Sequence, residues 1–302
     1  MSSTIDLQFQ GHAGVIATAV IPVGGGIVLV DPGPSSCLPV LERGLAALNH
    51  SLADVRAVLL THIHLDHAGA AGTIARRVPG VPVYVHEIGA RHLASPEKLL
   101  ASATRLYGDA MDRLWGEFLA VPATSLRPLA GGESVTLDGR RFAVAYTPGH
   151  AVHHVSYFDA ADGTAYVGDT AGIQVSPGYV LPATPPPDID LERWAESLSV
   201  IERWEPRRLY LTHFGPVESP APHLAMYRAA LARSAERVRA SLAEDGDDEA
   251  RIAAWEAWLR ADVRTRMPEE AAVAAESAAP FGQLWMGLAR YWRKREIATQ
   301  GA

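Results

Sequence analysis

The chain is 302 residues long, 48% hydrophobic and 20% charged, which excludes an intrinsically disordered polymer and is ample for a sizeable core. Its 34 acidic against 27 basic residues leave a formal charge of −7, which argues against a general nucleic-acid binder, because counterion-release binding needs a basic face. Cys37 is the single cysteine, so neither an intramolecular disulfide nor a cysteine-based zinc cluster can form.

The stretch from Met1 to Asp6 has no basic segment followed by an apolar one, so no signal peptide is expected. No apolar run reaches the ~18–20 residues that a membrane span needs, and the expectation is a cytoplasmic protein without membrane contacts. Val- and Ile-rich runs over 4–10, 13–23 and 26–31, separated by Gly, predict strands. Leu38, Leu41, Leu45 and Leu48, three and four apart, predict a helix over 36–49, with Cys37 a small buried side chain at its start. Residues 55–61 read as an apolar run, broken only by Arg56, up to a polar cluster, as in a strand buried on both faces with its chemistry at the C-terminal end. A helix of small residues over 68–78, a strand over 81–85 and helical segments over 87–118 follow. A second β block spans 125–175, with strands near 134–137, 141–147, 153–159 and 164–167 and turns at Asp138-Gly139 and Asp162-Gly163. The Pro-rich 182–187 is a stiff connector, 188–204 an amphipathic helix, and 207–211 a strand ending at Thr212-His213. From Pro220 onward the chain reads helical, with an acidic turn over 244–249.

The chemistry concentrates in Thr61-His62-Ile63-His64-Leu65-Asp66-His67, at a strand end. A lone histidine is more often structural than a ligand, but three His and one Asp so close together are costly to bury without a strong partner. In a tight turn His62 and His64 can face one metal while Asp66 and His67 face another. Three more residues follow apolar runs and precede small or loop residues: His150 in Thr147-Pro148-Gly149-His150, Asp169 in Gly168-Asp169-Thr170, and His213. Imidazole and carboxylate suit zinc, iron or manganese.

His62-x-His64-x-Asp66-His67 followed by His150, Asp169 and His213 resembles the metallo-β-lactamase superfamily in its glyoxalase-II-like, dinuclear form, over about residues 10 to 215. The resemblance implies a four-layer αβ/βα sandwich, with a catalytic domain over 1–219 and a C-terminal helical extension over 220–302. It implies two divalent ions, zinc first, with iron or manganese as alternatives. His62, His64 and His150 would hold one, Asp66, His67 and His213 the other, and Asp169 would bridge them. Asp31, in Asp31-Pro32-Gly33, would brace the ligand loop, and Asp66 would also handle a proton. Two cations about 3.5–4 Å apart can share a hydroxide whose pKa falls toward ~7, a nucleophile at neutral pH without Ser or Cys.

The expected activity is hydrolysis of a small carbonyl substrate (thioester, lactone, ester or amide) by this metal-bound hydroxide. The alternatives are a mononuclear iron persulfide dioxygenase and a small phosphodiester hydrolase. The stretch from Glu87 to Pro122 and the helical tail are where specificity is expected, with Tyr107, Arg105 and Tyr179 as candidate substrate contacts. His154 is a candidate brace or proton relay; the alternative makes His153-His154 the polar start of a strand. His12, His50, His86 and His223 read as ordinary surface or loop histidines. The aromatic face from Phe281 to Trp292 suits core packing or a homodimer contact. A small molecule is the expected partner, with no nucleic acid.

Overall fold

The computed structural model describes residues 2–300. The first sheet opens with β1 (Ser3–Asp6), antiparallel to β2 (Ala17–Val23), which turns into β3 (Gly26–Val30). From β3 the sheet is parallel, with helices as crossovers. α1 (Leu38–Ala47) leads to β4 (Val55–Leu59); α2 (Leu65–Ala68) and α3 (Ala71–Arg77) lead to β5 (Val83–His86). α4 (Glu87–Ala94), α5 (Glu97–Tyr107) and α6 (Met111–Trp115) lead to β6 (Leu126–Leu129).

The second sheet starts with the hairpin β7 (Ser134–Leu137) and β8 (Arg140–Tyr146), then β9 (Val155–Asp159) and β10 (Thr164–Tyr166). Asp138 (φ 44°) and Gly139 (φ 85°) form its two-residue turn, both left-handed as that tight hairpin requires. A separate ribbon, β11 (Ile173–Ser176) and β12 (Tyr179–Leu181), precedes α7 (Leu191–Arg203). β13 (Arg208–Leu211) lies parallel to β10, with β14 (Gly215–Val217) at the edge. Four helices close the chain: α8 (Pro220–Leu242), α9 (Asp248–Arg266), α10 (Glu269–Ala278) and α11 (Phe281–Gln300). The strand orders are β1-β2-β3-β4-β5-β6 and β14-β13-β10-β9-β8-β7.

Three apolar layers hold this together. Between the sheets, Ile21, Val28 and Leu59 meet Phe142, Val144 and Tyr157. Outside the first sheet, Leu29 and Val58 share a core with Leu41, Leu45 and Ile74. Outside the second, Leu209 and Leu211 share one with Trp194 and Ile201 of α7, and with Tyr227, Trp255 and Trp285 of the closing helices. Helices therefore cover both outer faces, which is the αβ/βα sandwich. The strand ends carrying the His and Asp residues fall on one edge.

The departures from expectation are local. The helical stretch 87–118 is three helices, interrupted at Ser95-Pro96 and at Gly108 (φ 50°), where the chain takes a conformation a helix does not tolerate. β9 starts at Val155, so His153 and His154 precede the strand. The short ribbon β11–β12 and the edge strand β14 are too brief to leave a periodic signal. Phe281, Leu284, Trp285 and Leu288 point into the core, so the aromatic face of α11 is packing within the chain. His86 and His223 are buried, unlike surface residues: His86 stacks on Tyr146 at 4.5 Å, and His223 Nε2 donates to the Ala171 carbonyl at 2.8 Å. Among the described residues no helix is long and apolar enough to cross a membrane.

Candidate metal centre

Four strand ends build the centre. Asp31 follows β3, His62 to His67 follow β4, Asp169 follows β10 and His213 follows β13; His150 enters from the loop between β8 and β9. Gly149 (φ 137°) lets that loop lie against α7, because a Cβ there would sit 2.4 Å from the Trp194 Cβ.

Three imidazoles converge first. His62 Nε2, His64 Nδ1 and His150 Nε2 form a triangle with edges of 3.0, 3.0 and 3.2 Å. Zn–N bonds of about 2.0–2.1 Å in a tetrahedron give an N···N edge of about 3.3 Å, close to these values. A second group lies beside it. Asp66 Oδ2 is 3.3 Å from His213 Nε2 and 3.6 Å from His67 Nε2. Asp169 stands between the groups: Oδ2 is 3.5 Å from His150 Nε2, and Oδ1 is 3.3 Å from His67 Nε2 and 3.6 Å from His213 Nε2.

In four of the five rings the partner of the far nitrogen sets which nitrogen faces the centre. His150 Nδ1–H donates to the Ala183 carbonyl (2.7 Å) and His213 Nδ1–H to the Val15 carbonyl (2.6 Å). His67 Nδ1–H donates to Asp31 Oδ2 (2.8 Å). Thr61 gives its hydroxyl proton to Asp31 Oδ2 (2.7 Å), so its oxygen is free to accept from His62 Nδ1–H at 3.1 Å. In the neutral rings, four Nε2 lone pairs then point into one small volume. With the rings neutral, His67 Nε2 and His213 Nε2 face only carboxylate oxygens and, like Asp169 Oδ1, are buried with no hydrogen-bond donor to pair with. Orphaned atoms cost about 1–3 kcal/mol each, and a cation set among them would remove that cost. Three ligand groups fit an ion: His62, His64, His150; His62, His67, Asp169; and Asp66, His67, His213.

The electrostatics divide the rings. Burial, helped by neighbouring imidazoles, keeps His62 well below its ordinary range and pulls His64 down to about 3. Burial also lowers His150 against the pull of Asp169, so this triad is neutral and ready to ligate. Burial likewise opposes charge on His67, but Asp66, Asp169 and Asp31 outweigh it and hold the ring well above its ordinary value. Burial of His213 is outweighed in the same way by Asp169 and Asp66. Burial would raise Asp66, yet His67 and His213 bring it down to about 2. In the second group a bound ion would therefore replace protons. Loading the metal-free chain at pH 7 should release them. Affinity should rise about tenfold per pH unit for each proton displaced, flattening only above the raised histidine pKa values. Calorimetry in buffers of different ionisation enthalpy reads this directly; heats that do not depend on the buffer would refute it.

Asp31 is fully buried and joins three strands. Its Oδ1 accepts from Thr61 N (2.8 Å), and its Oδ2 accepts from Thr61 Oγ1 (2.7 Å), Thr212 Oγ1 (2.7 Å) and His67 Nδ1. His154 stacks on His62 at 5.0 Å, and its Nδ1 sits 3.0 Å from Thr147 Oγ1 and 3.2 Å from Thr170 Oγ1, tying the loops of His150 and Asp169 together. The threonines of this network were not singled out from the sequence. The recurring Thr61-His62 and Thr212-His213 pairs are the signal for them, since both hydroxyls reach Asp31.

A cavity of about 410 Å³ opens beside His64, Asp66 and Asp169, and Tyr107 lies in its wall. Arg105 is on the exposed face of α5, outside that wall. Tyr179 is turned away: it packs in the core of the closing helices, and its hydroxyl donates to Asp262 Oδ2 at 3.0 Å. The structure thus brings together the seven ligand candidates with Asp31 and His154, keeps Tyr107 at the cavity, and separates Arg105 and Tyr179 from it.

Two facing sheets flanked by helices, with a buried His/Asp cluster at one edge, define a metal-binding α/β sandwich. The chain belongs to the metallo-beta-lactamase superfamily, whose model matches residues 8–213. It is 32% identical over 181 residues to a metallo-beta-lactamase fold-containing protein of Sulfurisphaera tokodaii, covering 57% of this chain and 67% of that one. It is also 32% identical over 178 residues to a hydroxyacylglutathione hydrolase of Xanthomonas campestris, covering 59% of this chain and 54% of the hydrolase; the match thus spans about half of that relative's length. The crystal structure of an archaeal superfamily protein from Sulfolobus tokodaii superposes with a TM-score of 0.66 at 22% identity, over 95% of this chain and 97% of that one, and so shares the fold.

Proposed function

We propose that this chain is a dinuclear metal-dependent hydrolase acting on a small carbonyl substrate: a thioester, lactone, ester or amide. The observation that carries the reading is Asp169, whose two carboxylate oxygens face two different groups of imidazole nitrogens. His62, His64 and His150 would hold one ion and Asp66, His67 and His213 the other, with Asp169 between them. When bound, the ions make water a nucleophile at neutral pH and polarise the carbonyl under attack. Zinc is the first candidate, since imidazole and carboxylate both suit it.

The protein's own residues do the rest. Asp31, the Ala183 carbonyl and the Val15 carbonyl hold the ligating rings in one tautomer. Asp66 is ionised at neutral pH and retains 19% side-chain exposure at the cavity edge. Its Oδ2 faces His67 and His213, which leaves Oδ1 to accept the proton that the attacking water gives up. The mononuclear oxygenase reading needs one ligand group only; the complete second group, with its orphaned nitrogens, favours the hydrolase.

Metal per chain, measured by plasma mass spectrometry on protein purified without chelator, tests this. About two equivalents of zinc, iron or manganese, with turnover of a thioester or lactone panel, is the expected result. One equivalent, all iron, with oxygen uptake would replace the reading by the oxygenase.

A further inference from the structure

The 410 Å³ cavity falls within the range of about 300–1,000 Å³ typical of small-molecule sites. Its floor is polar, at His64, Asp66 and Asp169. Its walls are not. Leu99, Ala103, Leu106 and Trp115 form one side, from α5 and α6; Ala279 and Leu284 form the other, where α10 meets α11. The two sides are joined by Tyr107, whose hydroxyl donates to Gln283 Oε1 at 3.3 Å, so that the Tyr107 proton is taken up within the wall. Lys98 and Asp188 place opposite charges at the rim, and burial, with Arg91 and Lys98 nearby, holds His92 below its ordinary range, toward the neutral ring.

We infer that the cavity selects carbonyl compounds bearing an apolar chain or ring, which lies between α5 and the α10–α11 corner while the carbonyl sits at the polar floor. This deepens the hydrolase reading above and rests on it for the reaction. The closing helices are thereby given a role: they supply one side of the apolar wall. A highly polar thiol-carrier group would strand its amides and carboxylates against leucine, alanine and tryptophan, each at the cost of an unmade hydrogen bond. A hydrocarbon gains with every methylene buried.

The test is binding of a neutral homologous series, the n-alkanols from butanol to octanol, to the protein as purified, followed by calorimetry. They carry no acyl bond, so the result is independent of turnover. Kd should fall about fourfold per methylene, the equivalent of about 0.8 kcal/mol. Ala103→Trp, which fills the cavity, should abolish that dependence. Should this variant fail to fold, Leu106→Gln, at a half-buried position, should weaken octanol binding about tenfold or more while leaving metal content unchanged. A Kd independent of chain length, or one unmoved by Leu106→Gln, would overturn the inference while leaving hydrolysis of short thioesters untouched. A chain-length dependence in protein that hydrolyses nothing would instead overturn the hydrolase reading and keep the apolar site.

Discussion

Asp169→Ala should purify with both ion sites depleted and with hydrolysis lost, whereas His64→Ala should lose only the first ion. The asymmetry follows from geometry. His64 contributes one nitrogen to one triangle, while Asp169 offers Oδ2 to His150's side and Oδ1 to the side of His67 and His213. Structural zinc in a four-ligand site is worth about 10–16 kcal/mol at pH 7, or about 3 kcal/mol per ligand, so losing one ligand costs each ion roughly 10²–10³ in affinity. Asp169→Ala imposes that loss twice. It should not unfold the loop, because Trp194 Nε1 still donates to the Thr170 carbonyl at 2.7 Å and His154 still spans Thr147 and Thr170. Metal analysis with circular dichroism on the same samples checks both halves. An Asp169→Ala protein that retains two equivalents and its turnover would remove the bridging role and the reading built on it.

Much of this centre is legible in the sequence because ligation demands particular residue types at strand ends. A run of apolar residues ending in His or Asp is a strong signal, and it recurs at 55–67, 164–169 and 208–213. What tunes the ligands is less visible. The carbonyls of Val15 and Ala183 orient His213 and His150, and backbone atoms carry no residue signature at all. The substrate wall is harder still. It joins residues from 99–115 to residues from 279–284, a contact made by tertiary packing of two helical regions whose local patterns say only that each is amphipathic. Tyr179 shows the limit: it opens the three-residue β12, paired with Ser176, where no local pattern tells which face it takes, and the core of the closing helices, with Asp262 beside its hydroxyl, turns it from the cavity. The fold itself was readable where hydrophobic periodicity is long, as in 38–48, and even in short strands such as 134–137 and 164–166, but not in β12 and β14, whose three residues stand apart from a longer apolar pattern.

Asp31→Asn is the sharper probe of how the framework acts on the ligands. Asp31 sits at φ 48°, a left-handed conformation that Asn tolerates and Ala resists, so Asn keeps the backbone as well as the side-chain volume. What changes is polarity. The Asn oxygen can still accept from Thr61 N, and the hydroxyls of Thr61 and Thr212 can rotate to accept instead of donate. His67 cannot adapt so cheaply. Its Nδ1–H now meets an amide NH₂, and relief requires moving the proton to Nε2, the nitrogen that faces Asp66 and Asp169. That ring then offers no lone pair to an ion. Metal affinity at the second group should fall about 10–100-fold, the usual cost of losing an outer partner of a ligand, while the metal-free protein, whose His67 loses one of three neighbouring carboxylates, is destabilised, though less than in Asp31→Ala. Asp31→Ala should do more. It leaves the donors of Thr61, Thr212 and His67 buried without an acceptor and strains the backbone, for a loss of about 3–5 kcal/mol, out of a total near 5–15 kcal/mol for a folded domain. Thermal melts of the metal-free variants, set beside zinc titrations, separate the two effects. Equal affinity loss with equal destabilisation in both variants would mean that Asp31 only holds strands together. Affinity lost in Asn with clearly less destabilisation than in Ala would mean that it chooses the tautomer of His67.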